Sequence, residues 1–179
     1  MAATTLTGDK ATCARSLALM ATGTVEEMAE VYRADATNRE AKDEPEATRG
    51  TGPEATHATA LWLREAYSDL HWEVHDAVQE GELVVLHTTM SGRQTGPFTV
   101  YDEDAAVKVV FPPRGRSFAV TQTHWFRMRE GLIAEHWANR DDQGQGEQLG
   151  WTPPSPVYLV QMLLARRRAR ATEAAAPHR

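Results

Sequence analysis

At Leu70 the hydrophobic period of the chain changes from that of a helix to that of a strand, and no other feature limits the fold as much. Before this point Ala14, Leu17, Ala18 and Met20 recur at helical spacing after Asp9, which is placed to cap, and Gly23 breaks the run. Thr24 and Glu27 have capping-box spacing and open a second helix expected to run through Met28, Val31 and Tyr32. Residues 43–52 are charged, hold Pro45, Gly50 and Gly52, and read as a loop. A third helix follows Pro53, with Ala58, Leu61, Trp62 and Tyr67 on one stripe. After the change, Leu70, Trp72, Val74, Asp76 and Val78 alternate with His71, Glu73, His75 and Ala77. Glu80-Gly81 turns the chain into the partner strand that starts at Leu83, and a final strand pair covers 117–128 and 132–141. Helices followed by an antiparallel sheet define an α+β layer fold.

Residues 1–8 are small and polar and are expected to fray, 9–156 form the domain, and 157–179 form a C-terminal helix and basic tail. Within this division 142–156 read as loop, because they hold Gly144, Gly146, Gly150 and several prolines, and 157–165 read as a short apolar helix. The basic tail from Arg166 reads as a solvated helix end. At 179 residues and a net charge of −6 the chain suits one domain and lacks the basic surface that nucleic-acid binding needs. Cys13 is the only cysteine, which excludes an internal disulfide and a cysteine-based zinc site, suits a reducing cytoplasm and reads as core filler. The sequence shows neither a leader pattern nor an apolar run of membrane-spanning length, so no membrane partner is expected. There is also no P-loop, no dinucleotide-binding glycine pattern and no ligand spacing for a metal, so no cofactor is expected.

The stretch THWFRMREGLIAEHWANRDD at 123–142 sets the chemistry. On the first strand the even positions Phe118, Val120, Gln122, His124, Phe126 and Met128 form the buried face; on the second they are Leu132, Ala134, His136, Ala138 and Arg140. Glutamate does not suit the positive φ of a type I′ turn, whereas Gly131 suits a type I turn with a G1 bulge. That loop pairs Met128 with Leu132, Phe126 with Ala134, His124 with His136 and Gln122 with Ala138. Two imidazoles and a carboxamide then form a polar patch on an apolar face, and buried polar groups are costly unless satisfied. The patch either faces a ligand or is a pair of core histidines satisfied by each other and by backbone. Asp76 shares the apolar parity of its strand, either as a buried carboxylate or as an exposed one near a strand end. Trp125 and Trp137 fall on the opposite face, where large aromatics call for cover, and a homodimer contact is expected there.

The stretches GRQTGPF, PPRGRSF, QTHWFRMREGLIAEHW and DDQGQGEQLG resemble the SnoaL-like polyketide cyclases of the nuclear transport factor 2-like superfamily, which includes ketosteroid isomerase. The resemblance runs from about Val25 to Gly150 and is most specific from Pro112 onward. It implies a cone-shaped α+β barrel in which helices and a curved sheet enclose one pocket, and ring closure by intramolecular aldol condensation without a cofactor. It carries polar pocket residues onto Asn38, Gln122, His124 and His136, and it aligns the family's catalytic aspartate with Ala138. Alanine moves no proton, and neither Asp141, of the wrong parity, nor Asp142, too far along the strand, is a simple replacement. His124 or His136 is therefore the expected base, with Asn38, Gln122, Ala138, Phe126, Trp62 and Arg140 as the expected substrate contacts. The acidic connection at 99–110 is either a lid at the pocket mouth or an exposed loop. Three functions are open: a cofactor-independent enzyme on a hydrophobic, polyketide-like molecule, a non-catalytic binder of the same ligands, and an epoxide hydrolase built around Arg140 and Asp76. His124 and His136 lack a third ligand for a metal.

Overall fold

The computed structural model of the chain describes residues 6–175. The expected frayed start lies mostly outside these residues, and Gly8 already opens a helix. In chain order the elements are α1 (Gly8–Thr22), α2 (Val25–Ala29), β1 (Tyr32–Asn38), α3 (Gly52–Ala66), β2 (Tyr67–Glu80), β3 (Leu83–Gln94), β4 (Phe98–Tyr101), β5 (Val107–Phe111), β6 (Ser117–Arg129), β7 (Leu132–Arg140), α4 (Asp142–Leu149) and α5 (Pro156–Ala175). Two single 3₁₀ turns, Ala41–Asp43 and Glu46–Thr48, lie between β1 and α3. The main sheet has the order β1-β7-β6-β3-β2, is curved and does not close, and β4-β5 form a separate hairpin. The α+β cone is as expected. Its core lies where α1 and α3 cover the inner sheet face, around Met28, Val84, Leu86, Phe126 and Ile133, each 0% exposed.

Several elements differ from the sequence reading. The capping box forms, with Thr24 accepting from Glu27 N and Glu27 accepting from Thr24 N, but the helix it opens ends at Ala29. Tyr32 instead starts β1, which runs parallel to β7 with Asn38 beside His136, so the sheet is not wholly antiparallel. Pairing with β7, including Ile133 N to Val31 O at 2.9 Å, outweighs a helical spacing carried by only a few residues. In α3 the buried stripe is Ala55, Thr59 and Ala60, which leaves Leu61 exposed, and Tyr67 begins β2. Residues 142–149 form α4 despite their glycines. Asp141 caps the helix by accepting from Gly144 N at 2.8 Å, Gly150 ends it at φ 73°, Leu149 is fully buried and Gln148 exchanges hydrogen bonds with the Ala119 backbone. The expected short apolar helix at 157–165 is the first half of the longer α5, whose Val157, Leu159, Val160, Leu163 and Leu164 stay exposed.

From His136 onward the β6–β7 hairpin reaches the expected faces by a different route. Next to the turn Ile133, and not Leu132 or Ala134, enters the core. Glu130 (φ 54°) and Gly131 (φ 80°) make a two-residue type I′ turn that pairs Arg129 with Leu132. The glutamate at positive φ is held by Arg33 from β1, whose Nη1 lies 2.7 Å from its carboxylate. This turn alone would put β7 one residue out of step and reverse every side chain on it. A bulge at Ala134, between the Met128–Ile133 and Arg127–Glu135 pairs, restores the parity. Phe126 therefore pairs with His136, His124 with Ala138 and Gln122 with Arg140, two residues further along than expected. A bulge at His75 has the opposite consequence in β2. It moves Ala77 to the core and turns Asp76 to solvent, with 80% of its side chain exposed. Asp76 is not a buried carboxylate.

Candidate active site

A cavity of about 370 Å³ lies between the helices and the inner face of the sheet. Gln122 from β6, His124 beside it, His136 and Ala138 from β7, and Asn38 at the end of β1 all line it, as does the Arg140 side chain. The opposite wall is aromatic. Trp62 of α3 donates from Nε1 to Thr99 O at 2.9 Å and packs on Phe98 at 4.8 Å between ring centroids. Phe98 and Phe111 both stack on Trp151. The 99–110 connection is thus the β4–β5 hairpin: Phe98, Val100 and Phe111 face the cavity, and the 102–106 turn stands largely in solvent. Of the expected contacts only Phe126 is absent from the lining. It is 0% exposed and packs behind the histidines, 4.9 Å from the His136 ring. Trp125 and Trp137 pair on the outer face, with the Arg39 guanidinium 4.4 Å over Trp137.

The polar patch is a single hydrogen-bonded chain. Trp72 Nε1 donates to Gln122 Oε1 at 3.2 Å, and His124 Nε2 lies 2.8 Å from the same oxygen. His124 Nδ1 lies 3.0 Å from His136 Nε2, and His136 Nδ1 lies 3.2 Å from Asn38 Oδ1, which also accepts from Glu40 N. Both ends are pinned as acceptors, because an indole N–H and a backbone N–H can only donate. The outer ring nitrogens must then both donate. With two neutral rings there are two protons for three contacts, and one contact stays without a hydrogen. Burial nevertheless holds the pair neutral: it pushes the His136 pKa down to about 4, helped by Arg140, and pushes His124 well below its usual value, helped by the charge of a protonated His136 and by Arg140. The pair is a base one proton short of its own hydrogen bonds. The amide nitrogens at the two ends keep donor capacity. Gln122 Nε2 meets only the Met90 sulfur at 3.2 Å, and Asn38 Nδ2 has no partner among the described residues.

The acidic side of the cavity comes from residues the sequence reading did not select. Glu40 lies beside Ala138, its Oε1 accepting from Ala138 N at 3.3 Å and its Oε2 3.7 Å from Arg140. Arg140 also reaches Asp142 at 3.4 Å. Glu44 is 3% exposed and accepts from Thr59 Oγ1 at 2.6 Å; burial raises its pKa. Trp72, bonded to Gln122, and Tyr67, whose hydroxyl meets Gln145, also line the cavity. Trp72 was open to selection from its parity with Leu70 and Val74. Glu40 and Glu44 sit in irregular backbone, where no period marks a face. Among the described residues no three His, Cys, Asp or Glu side chains are placed to hold a metal, and no helix is long and apolar enough to cross a membrane.

An open curved sheet whose helices close one cavity, with a buried polar chain at its base, defines a small-molecule-pocket fold. Residues 12–149 match the family model described as SnoaL-like polyketide cyclase, and the chain belongs to that family. It is 30% identical over 136 residues to the aklanonic acid methyl ester cyclase DnrD of Streptomyces peucetius, covering 75% of this chain and 86% of that one. Among solved structures, TsrD from Streptomyces laurentii matches with a TM-score of 0.61 and 26% identity over 79% of this chain and 96% of its own. IdmH from Streptomyces antibioticus, described as a putative polyketide cyclase, matches in fold with a TM-score of 0.59 and 24% identity, over 79% and 98% of the two chains.

Proposed function

We propose that this protein is a cofactor-independent polyketide cyclase that closes a ring by an aldol-type step on a hydrophobic, polyketide-derived ester, with the His124–His136 pair as its base. The observation that carries the reading is the pair's missing proton. A carbon acid flanked by two carbonyls supplies that proton; its C–H electrons become an enolate, and the enolate carbon attacks a second carbonyl of the same molecule. Uptake of the proton completes the three contacts of the chain, which offsets part of the cost that burial sets on charging the pair. The donor capacity of Gln122 Nε2 and Asn38 Nδ2 is available to the enolate oxygen. The aromatic wall excludes water and matches a fused-ring substrate. The relative named as a cyclase of aklanonic acid methyl ester supports a substrate of that class.

Turnover of aklanonic acid methyl ester by wild type and His124→Ala tests the reading. The variant is expected to lose roughly 10²-fold or more in kcat, with ligand affinity within a few-fold. In the wild type the rate should fall as acid fills the pair's open position, below neutral pH and toward the His136 value of about 4. Equal kcat in the two proteins would overturn histidine catalysis; tight binding of the ester without turnover would favour the non-catalytic binder. The epoxide reading has lost Asp76, and only Arg140 between Glu40 and Asp142 supports it.

A further inference from the structure

Attack of the enolate carbon leaves an alkoxide on the second carbonyl, and that oxygen needs a proton. The cavity contains one carboxyl group suited to that role. Glu44 sits in the wall formed by the 41–48 segment, 97% removed from solvent by its 3% exposure, and it lines the same cavity as His124 and His136. No cation pairs with its carboxyl group among the described residues, although the charge of Arg140 reaches it. Arg140, from β7, lies between Glu40 and Asp142. Arg49 donates to the main-chain carbonyls of Lys42, Glu44, Asp102 and Glu103, and so grips the backbone of Glu44 rather than its carboxyl group.

The hydrogen-bond donors are equally few. Thr59 Oγ1 donates to Glu44 Oε2, while the Thr48 hydroxyl that lies nearby donates to Pro45 O at 2.8 Å. The remaining charged groups on the cavity wall are Glu40 and Asp43 on its own segment, Asp142 on α4, and the two histidines, which burial keeps neutral. Three of these are further acids. With one hydroxyl donor, no ion pair of its own and acidic neighbours, burial raises the Glu44 pKa against the opposing charge of Arg140. Glu40, by contrast, accepts from the Ala138 backbone N–H and lies 3.7 Å from the Arg140 guanidinium. Glu44 has neither contact, and a buried carboxyl group whose surroundings favour its neutral form is suited to an acid role.

We propose that Glu44 is the acid of this site, held protonated on the oxygen away from Thr59 and donating that proton to the carbonyl oxygen of the bound substrate. This deepens the cyclase reading and rests on it for the reaction, though not for the protonation state. The step balances. The histidine pair takes the proton from carbon, the enolate carbon bonds to the carbonyl carbon, the C=O π electrons move to oxygen, and oxygen takes the Glu44 proton. The product alcohol leaves a protonated histidine pair and an ionised Glu44. Transfer of one proton between them, through water admitted as product departs, resets both.

The test has one arm without substrate and one with it. Protein labelled with ¹³C at the glutamate carboxyl is titrated by NMR, and the signal lost in Glu44→Gln is that of Glu44. It is expected to ionise well above the exposed glutamates; ionisation together with them overturns the proposal whatever the enzyme does. In the second arm, turnover of the polyketide ester above by Glu44→Gln should fall roughly 10²-fold in kcat with KM within a few-fold. The wild-type rate should decline as rising pH removes the Glu44 proton, and this high-pH limb should vanish in Glu44→Gln. Glu44→Asp, which keeps an acid on a shorter arm, should recover part of the rate and the limb. A Gln variant that retains the high-pH limb sinks the assignment and leaves the cyclase reading intact. If the wild type turns over no polyketone, the cyclase reading falls. Glu44 is then judged by the titration and by the affinity of a hydroxyanthraquinone, which should drop at least several-fold in Glu44→Ala; an unchanged affinity overturns the donor role.

Discussion

The cavity has one polar wall made by β6 and β7 and another made by residues 39–49, and the two place their side chains by different physical means. In the strand wall the backbone is satisfied by its ladder, successive residues alternate faces, and Gln122, His124, His136 and Ala138 inherit their direction from that alternation. In the other wall, single 3₁₀ turns and extended residues carry Glu40, Asp43 and Glu44 into the cavity. Their direction comes from particular contacts: Glu40 on Ala138 N, Thr59 on Glu44, and Arg49 on the carbonyls of the segment. Periodic direction survives local change, whereas direction held by one or two bonds does not.

This comparison can be broken from the strand side first, where the effect should be largest. Phe126 is fully buried behind both histidines and packs in the main core. Phe126→Ala should cost about 3–5 kcal/mol, the range for truncating a buried aromatic ring, measured by urea denaturation. A cost below 1 kcal/mol would mean that the strand wall does not depend on the core behind it.

The loop side should yield to Arg49. Its guanidinium joins residues 42–44 to the 102–103 carbonyls and so ties the acidic wall to the β4–β5 turn. Arg49→Ala should cost on the order of 2 kcal/mol, less than the sum of its charged hydrogen bonds because the group is only partly buried. Amide exchange should rise at 41–49 and 102–106 and stay unchanged in β6 and β7. Equal acceleration in both walls would contradict the separation drawn between them.

The same difference explains what was legible in the sequence. The change of period at Leu70 located the sheet, and the even positions of the last hairpin identified Gln122, His124, His136 and Ala138 as cavity residues. Glu44 was not legible, because an acid in a charged, proline-bearing stretch looks like any solvated loop residue until the fold buries it and Thr59 donates to it. Asp76 shows how fragile parity is at a single bulge, which reversed its direction without any mark in the alternation of β2. The glycines at 144 and 146 suggested a loop, yet the Asp141 cap and the burial of Leu149 were enough to form α4. For the histidines, the sequence supplied the face, while the order of the hydrogen bonds depended on a register two residues away from the expected one.

That register rests on a turn whose first residue is poorly suited to it, and this sets the smallest expected effect. Glu130 occupies φ 54°, where a residue with a Cβ is strained and asparagine is tolerated better. Its compensation is the ion pair with Arg33, but the Glu130 side chain is 84% exposed, and exposed pairs contribute little. Arg33 also keeps Asp35 as a partner at 2.8 Å. Glu130→Asn should therefore stabilise the protein by about 0.5 kcal/mol, the balance of relieved backbone strain over a weak ion pair, and raise Tm by roughly 1–2 °C. The Ala134 bulge should persist, because moving it would turn His136 out of the cavity and Ile133 out of the core. A lower Tm for Glu130→Asn would mean that the bond from Arg33 outweighs the strain, and that this hairpin, too, is held in place by one contact rather than by its turn.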